Sequence, residues 1–136
     1  MCGIFGILPN NETNIDLKKI CNFVNQIQIH RGPDSSGYFI DKYIALSHTR
    51  LSIIDIEKGN QPMTDSRSGL TIVFNGEIVN YKNLKKILNE QYQSYITDHS
   101  DTEVILKLYE LYEDKCVEYL QGMFSFAIWD SNKKKL

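Results

Sequence analysis

Residue 2 is a cysteine, directly after Met1. A small second residue invites removal of Met1 by the usual aminopeptidase. One residue would then carry both a thiol and a free α-amine. In reference peptides an α-amine titrates near ~8 and a thiol near ~8.5, so such an amine can take the thiol's proton without a separate histidine. Asn75-Gly76-Glu77 follows the apolar run Leu70 to Phe74. Taken alone, Asn-Gly after a strand is a hairpin turn. The same residues have a second use: glycine lets its backbone N–H approach a ligand closely, and the Asn75 amide supplies another donor, which together make an oxyanion hole. Glu77 can then hold a substrate ammonium. Arg50 follows the strand read at Ile44 to Thr49 and can grip a carboxylate through two parallel hydrogen bonds. Asp101 either complements a helix dipole or joins Glu77 as a second anion for an amine. His30 and His48 have no evident catalytic partner and are read as structural.

The elements that must position these groups follow from periodicity. Ile4 to Leu8 reads as a strand stopped by Pro9 and Asn10. Thr13 or Asn14 caps a helix to about Ile29, with Ile20, Phe23, Val24 and Ile27 facing a core. Arg31-Gly32-Pro33-Asp34 makes a tight loop. Residues 38–40 and 43–49 are strands joined at Asp41-Lys42, residues 51–56 continue the sheet, and residues 59–62 turn. Leu70 to Phe74 is a strand. Asn80 caps a short helix carrying Leu84, Ile87 and Leu88. Ser100-Asp101-Thr102-Glu103 has the form of a capping box, with Val104, Ile105, Leu108 and Leu111 inward behind it. Phe124 to Trp129 closes the sheet. Its alternating sets are both apolar, so it should be buried on both faces, and as a last strand it would offer an unpaired edge. The element order is α+β.

The 136 residues fit one domain. The net charge of −2 gives no reason to expect nucleic acid or an anionic membrane, and Lys133 to Lys135 read as a solvated tail. No apolar stretch approaches the roughly 18 residues of a membrane span, and no signal peptide is visible. The three cysteines, Cys2, Cys21 and Cys116, are odd in number and show no metal-ligand spacing. They point to a reduced, cytoplasmic chain without disulfides or a metal site. There is no Gly-rich phosphate loop.

In order along nearly the whole chain, Met1-Cys2-Gly3-Ile4-Phe5-Gly6, His30 to Gly37, Arg50 to Asp55, Gln61-Pro62, Asn75-Gly76-Glu77-Ile78, Ser100 to Glu103 and Leu120 to Phe126 resemble the glutaminase domain of glutamine-hydrolysing asparagine synthetases. Val79 departs from the tyrosine usual there. The resemblance implies an N-terminal-nucleophile hydrolase fold of two stacked antiparallel sheets flanked by helices. It also implies that residues 1–136 are incomplete at the C-terminus, with a synthetase domain to follow. By the same resemblance, Cys2 attacks the side-chain amide of L-glutamine and Asn75 and Gly76 hold the oxyanion. Arg50 binds the α-carboxylate, Glu77 and Asp101 bind the α-amine, and backbone groups of Leu51, Ser52, Ile53 and Ile54 line the pocket. A thioester forms and water releases glutamate. No cofactor is expected for this half-reaction; ATP and magnesium belong to the synthetase domain, where ammonia amidates aspartate or a related acceptor. A homodimer is a further expected assembly. The alternative is a non-catalytic fragment or a glutamine-binding regulatory domain.

Overall fold

The computed structural model describes residues 1–9, 15–52, 59–89 and 100–136. The elements are β1 (Gly3–Ile7), α1 (Leu17–Ile27), β2 (Ser35–Ile40), β3 (Ala45–Arg50), β4 (Met63–Asp65), β5 (Leu70–Ile78), α2 (Tyr81–Asn89), α3 (Asp101–Tyr112) and β6 (Gly122–Asp130), with 3-10 turns at Gln28–His30 and Glu113–Tyr119. They form two antiparallel three-stranded sheets, ordered β1-β3-β2 and β4-β5-β6.

Strand alternation builds the layers. Ile44, just before β3, and Leu46 of β3 meet Val73 of β5 and Trp129 of β6, with Ile4, Phe39 and Ala127 at the margins, so the two sheets stack face to face. The opposite face of β5, carrying Leu70, Ile72, Phe74 and Ile78, packs on α2 and α3 through Leu84, Leu88, Val104, Ile105 and Leu108. Helix α1 lies on the outer face of the first sheet. The order is helix, sheet, sheet, helices: an α+β sandwich of stacked antiparallel sheets, as the resemblance implies.

Several local expectations are corrected. Helix α1 starts at Leu17, and its cap is Asp16, which accepts from Lys19 N–H at 3.1 Å. Thr13 and Asn14 lie outside the described residues. Its buried residues are Cys21 and Asn25, while Phe23 and Ile27 are exposed. Ile20 and Val24 are half-buried on the same stripe, as expected, so the helix meets the sheet with apolar and polar groups together. Thr49 Oγ1 donates to Gln28 O, and Asn25 Nδ2 donates to Gly37 O. The Ser100 side chain makes no cap bond, and Leu111 is 38% exposed. Strand β5 does not turn at Asn75-Gly76 but runs through to Ile78, paired with β6. Residues 53–56 of the expected continuation of the sheet fall outside the described residues, and β3 itself ends at Arg50. The short strand β4 was not expected.

The closing strand is buried on both faces only at its C-terminal half, where Ile128 and Trp129 face opposite cores. Met123 and Ser125 are exposed. Among the described residues, its free edge is met only at Asp130, by Lys135. The basic run is exposed, as expected of a solvated tail, and carries two surface ion pairs: Lys133 with Glu113 and Lys135 with Asp114, each at 2.7 Å. A buried ion pair was not visible in the sequence. Lys107 of α3 reaches Asp65 of β4 at 2.5 Å, both almost wholly buried, and Arg67 reaches the same carboxylate at 3.2 Å. Burial alone would push the Asp65 carboxyl up, but the hydrogen bonds from Arg67 and Lys107 outweigh it and hold it well below the usual range.

Candidate active site

Register brings the predicted residues together. Gly3 opposes Thr49 in the β1–β3 pair, so one further step sets Cys2 beside Arg50 at the end of the first sheet. On β3, Arg50 has the parity of Ile44 and Leu46, the inter-sheet residues. On β5, Asn75 and Glu77 have the parity of Val73, which faces the first sheet. All four therefore meet where the hydrophobic layer between the sheets ends. A cavity of about 390 Å³ opens there, lined by Cys2, Arg50, Leu51, Asn75, Gly76, Glu77 and Asp101. Its volume suits a small molecule.

The Cys2 sulfur is half-buried and fixed by Leu51, whose N–H donates to it at 3.4 Å. The Cys2 carbonyl accepts from Arg31 Nε at 3.0 Å. The loop carrying Arg31 is itself seated on β3. Asp34 N–H donates to Arg50 O at 3.0 Å, and the Asp34 carboxylate accepts from Ser52 N–H at 2.7 Å. Gly32 is required at that seat, since a Cβ would stand 2.4 Å from Thr49 O. Arg50 is 5% exposed and donates to Asn60 Oδ1 at 3.2 Å, which directs its guanidinium along the cavity wall.

The donors on β5 are sorted by parity. Val79 N–H donates to Gln121 O, which places the odd-numbered N–H groups of this segment toward β6. Phe74, Gly76 and Ile78 therefore point theirs to the other edge, where β4 has already ended. Ile78 N–H donates to Asp101 Oδ2 at 3.1 Å. Gly76 has φ +147°, and a Cβ there would stand 2.2 Å from Met123 O, so only glycine lets the two strands close beside the cavity. Burial pushes the Asp101 carboxyl up, and the nearby charge of Glu77 adds to that. Two acids held this close favour a cation between them.

Of the remaining predicted residues, Ser52 is tied to Asp34 and does not line the cavity, and Ile53 and Ile54 lie outside the described residues. Val79 does line the cavity, at its exposed rim. Gln61, Phe74, Ser100, Thr102 and Met123 line it too, and residue-type reasoning missed them. Gln61-Pro62 stood among the family-like segments, which was the one signal available for Gln61. Cys21 and Cys116 are buried away from the site, and burial pushes both thiols up. His48 is buried between the sheets and donates from Nε2 to Phe74 O at 3.0 Å. No group of three or more potential metal ligands occurs among the described residues.

The whole chain, residues 1–136, matches the family model described as a glutamine amidotransferase domain. Asparagine synthetase [glutamine-hydrolyzing] 1 of Bacillus subtilis is 41% identical over 134 residues, which is 97% of this chain and 21% of that protein. Asparagine synthetase B [glutamine-hydrolyzing] of Escherichia coli is 38% identical over 98% of this chain and 24% of its own length. A solved structure of glutamine phosphoribosylpyrophosphate amidotransferase from B. subtilis, complexed with ADP and GMP, superposes with a TM-score of 0.54 at 26% identity. It covers 65% of this chain and 21% of that one. The chain thus spans about a fifth to a quarter of these relatives' length.

Proposed function

The chain belongs to the glutamine amidotransferase domain family, and from that premise we propose that it hydrolyses the side-chain amide of L-glutamine through a thioester on Cys2. One observation carries the reading: a single cavity holds a sulfur, a strand edge presenting an N–H at Gly76, a buried guanidinium, and two acids. Those groups are complementary to an amino acid with an amide side chain.

The proposed steps use only these residues. With Met1 removed, the Cys2 amine takes the thiol proton, and the thiolate attacks the amide carbon. Met1 is 73% exposed, which suits access by an aminopeptidase. Asn75 and the Gly76 N–H receive the oxyanion, an arrangement in which one donor is worth roughly 3–4 kcal/mol in the transition state. The ammonium so formed returns its proton to the amide nitrogen as the C–N bond breaks, and ammonia leaves. Water cleaves the thioester to glutamate and restores the thiol. Arg50 holds the α-carboxylate, and Glu77 with Asp101 holds the α-ammonium, so the substrate is gripped at the end remote from the reacting bond. No step calls for a cofactor.

For the whole protein we propose that the ammonia amidates aspartate to asparagine. ATP and magnesium would be used by a synthetase domain like that of the relatives named asparagine synthetases. The test is glutamate release from glutamine by the intact protein, with Cys2→Ala as control. An electrophilic glutamine analogue should label Cys2 and leave buried Cys21 and Cys116 unmodified. Normal turnover in Cys2→Ala, or in a protein with an uncleavable N-terminal extension, would refute the mechanism.

A further inference from the structure

Strand β4 pairs with β5 only as far as Ile72. Beyond that point the β5 edge has lost its strand partner, and its outward peptide groups need other partners. Both polar groups of Phe74 on this edge are met by side chains. Gln61 Oε1 accepts from Phe74 N–H at 2.6 Å, and His48 Nε2 donates to Phe74 O at 3.0 Å. Four residues on, Asp101 takes Ile78 N–H. The edge is thus tied by side chains on both sides of Gly76, and Gly76 itself lines the cavity.

We propose that Gln61 is a positioning residue for the oxyanion hole: by holding the Phe74 N–H it fixes the strand segment from which the Asn75 amide and the Gly76 N–H are aimed. The peptide planes at 74 and 75 set the direction of the Gly76 N–H. A donor displaced by a fraction of an ångström loses much of its value to a developing oxyanion. Gln61 is suited to the task because its acceptor reaches the edge from the loop immediately before β4, while His48, buried between the sheets, holds the carbonyl of the same residue. The role is distinct from substrate grip, which belongs to Arg50, Glu77 and Asp101, and it rests on the glutaminase reading above.

The experiment compares wild type, Gln61→Leu and Gln61→Glu in the intact protein, measuring kcat and KM for glutamine and the melting temperature. Leucine keeps the shape and removes the acceptor. Glutamate restores an acceptor at the same reach. The expected result is a kcat about ten-fold or more lower for Gln61→Leu, with KM changed by less than about three-fold. In Gln61→Glu, kcat should return to within about three-fold of wild type, its added charge appearing in KM. A merely structural role would lower the melting temperature of Gln61→Leu and leave the turnover of folded molecules intact. Turnover of Gln61→Leu equal to wild type, or Gln61→Glu no faster than Gln61→Leu, would overturn the proposal while leaving glutamine hydrolysis standing. A wild type that releases no glutamate would remove the premise and the proposal together.

Discussion

His48 makes the stability of this protein depend on pH in a defined window. The ring is fully buried between the sheets, and its Nε2–H is committed to Phe74 O. Burial is the main reason its pKa falls from 6.5 to about 4; the positive charge of Arg50 pushes the same way, and the bond to Phe74 opposes them. A histidine depressed in the folded state is protonated first in the unfolded chain. Its stabilising contribution is therefore complete above pH 6.5 and is lost as pH falls toward 4, below which both states are charged. Integrating the linkage between these two values gives a loss of about 2 kcal/mol from pH 7 to pH 5. Asp101 acts with the opposite sign, since its folded pKa is raised. The comparison must therefore be made against a variant that differs only at residue 48. His48→Gln keeps an N–H donor for Phe74 O and cannot titrate. Urea unfolding of both proteins at pH 7 and pH 5 should show wild type losing about 2 kcal/mol more than the variant, a midpoint shift of about 1 M. Equal losses would show that the ring is hydrated or free to leave its site, and the description of a dry layer between the sheets would be wrong.

Other expectations are read from the same geometry. Arg50→Ala should raise KM for glutamine by about ten-fold to a hundred-fold with kcat little changed, whereas Asn75→Ala should lower kcat by about 10²–10³. The two constants measured on both variants separate grip from transition-state stabilisation, and an unchanged KM in Arg50→Ala would remove its assignment. Gly76→Ala should impair both folding and turnover. Its Cβ would meet Met123 O at 2.2 Å in a backbone conformation that costs other residues about 1–3 kcal/mol, and a wild-type melting temperature would contradict this. Lys107→Met leaves the buried Asp65 carboxylate with the exposed Arg67 as its remaining cation in this network. It should destabilise the fold by about 3 kcal/mol, measured by urea unfolding, and Asp65→Asn in the same chain should recover part of that loss.

Three of the residues proposed to touch substrate could be named from sequence because they stand at the end of a strand or the start of a helix, where residue type carries meaning without knowledge of the partner. Cys2 precedes β1, Arg50 ends β3 and Asp101 opens α3. Asn75-Gly76 was legible and ambiguous at once. A hairpin turn and an oxyanion site both need a glycine with positive φ next to a hydrogen-bonding side chain. The nine-residue pairing of β5 with β6, which continues through Asn75-Gly76, removes the turn and leaves the oxyanion role as the proposal. A local signal has no access to that register.

The supporting residues were hidden for the same reason. Arg31 reaches Cys2 across 29 residues, Leu51 reaches it across 49, and Lys107 reaches Asp65 across 42. Helical periodicity placed Lys107 on α3 and could say nothing of a carboxylate beneath it, because a buried cation carries no period of its own. The same blindness misassigned half of the inward face of α1. Of the four apolar residues expected there, Ile20 and Val24 are half-buried, Phe23 and Ile27 are exposed, and the buried positions are Cys21 and Asn25. Residues proposed for a site are nominated by the chemistry of one ligand, which residue type can suggest. Residues that hold it are chosen by whichever strand the register sets beside them, so they emerge only once the two sheets are stacked.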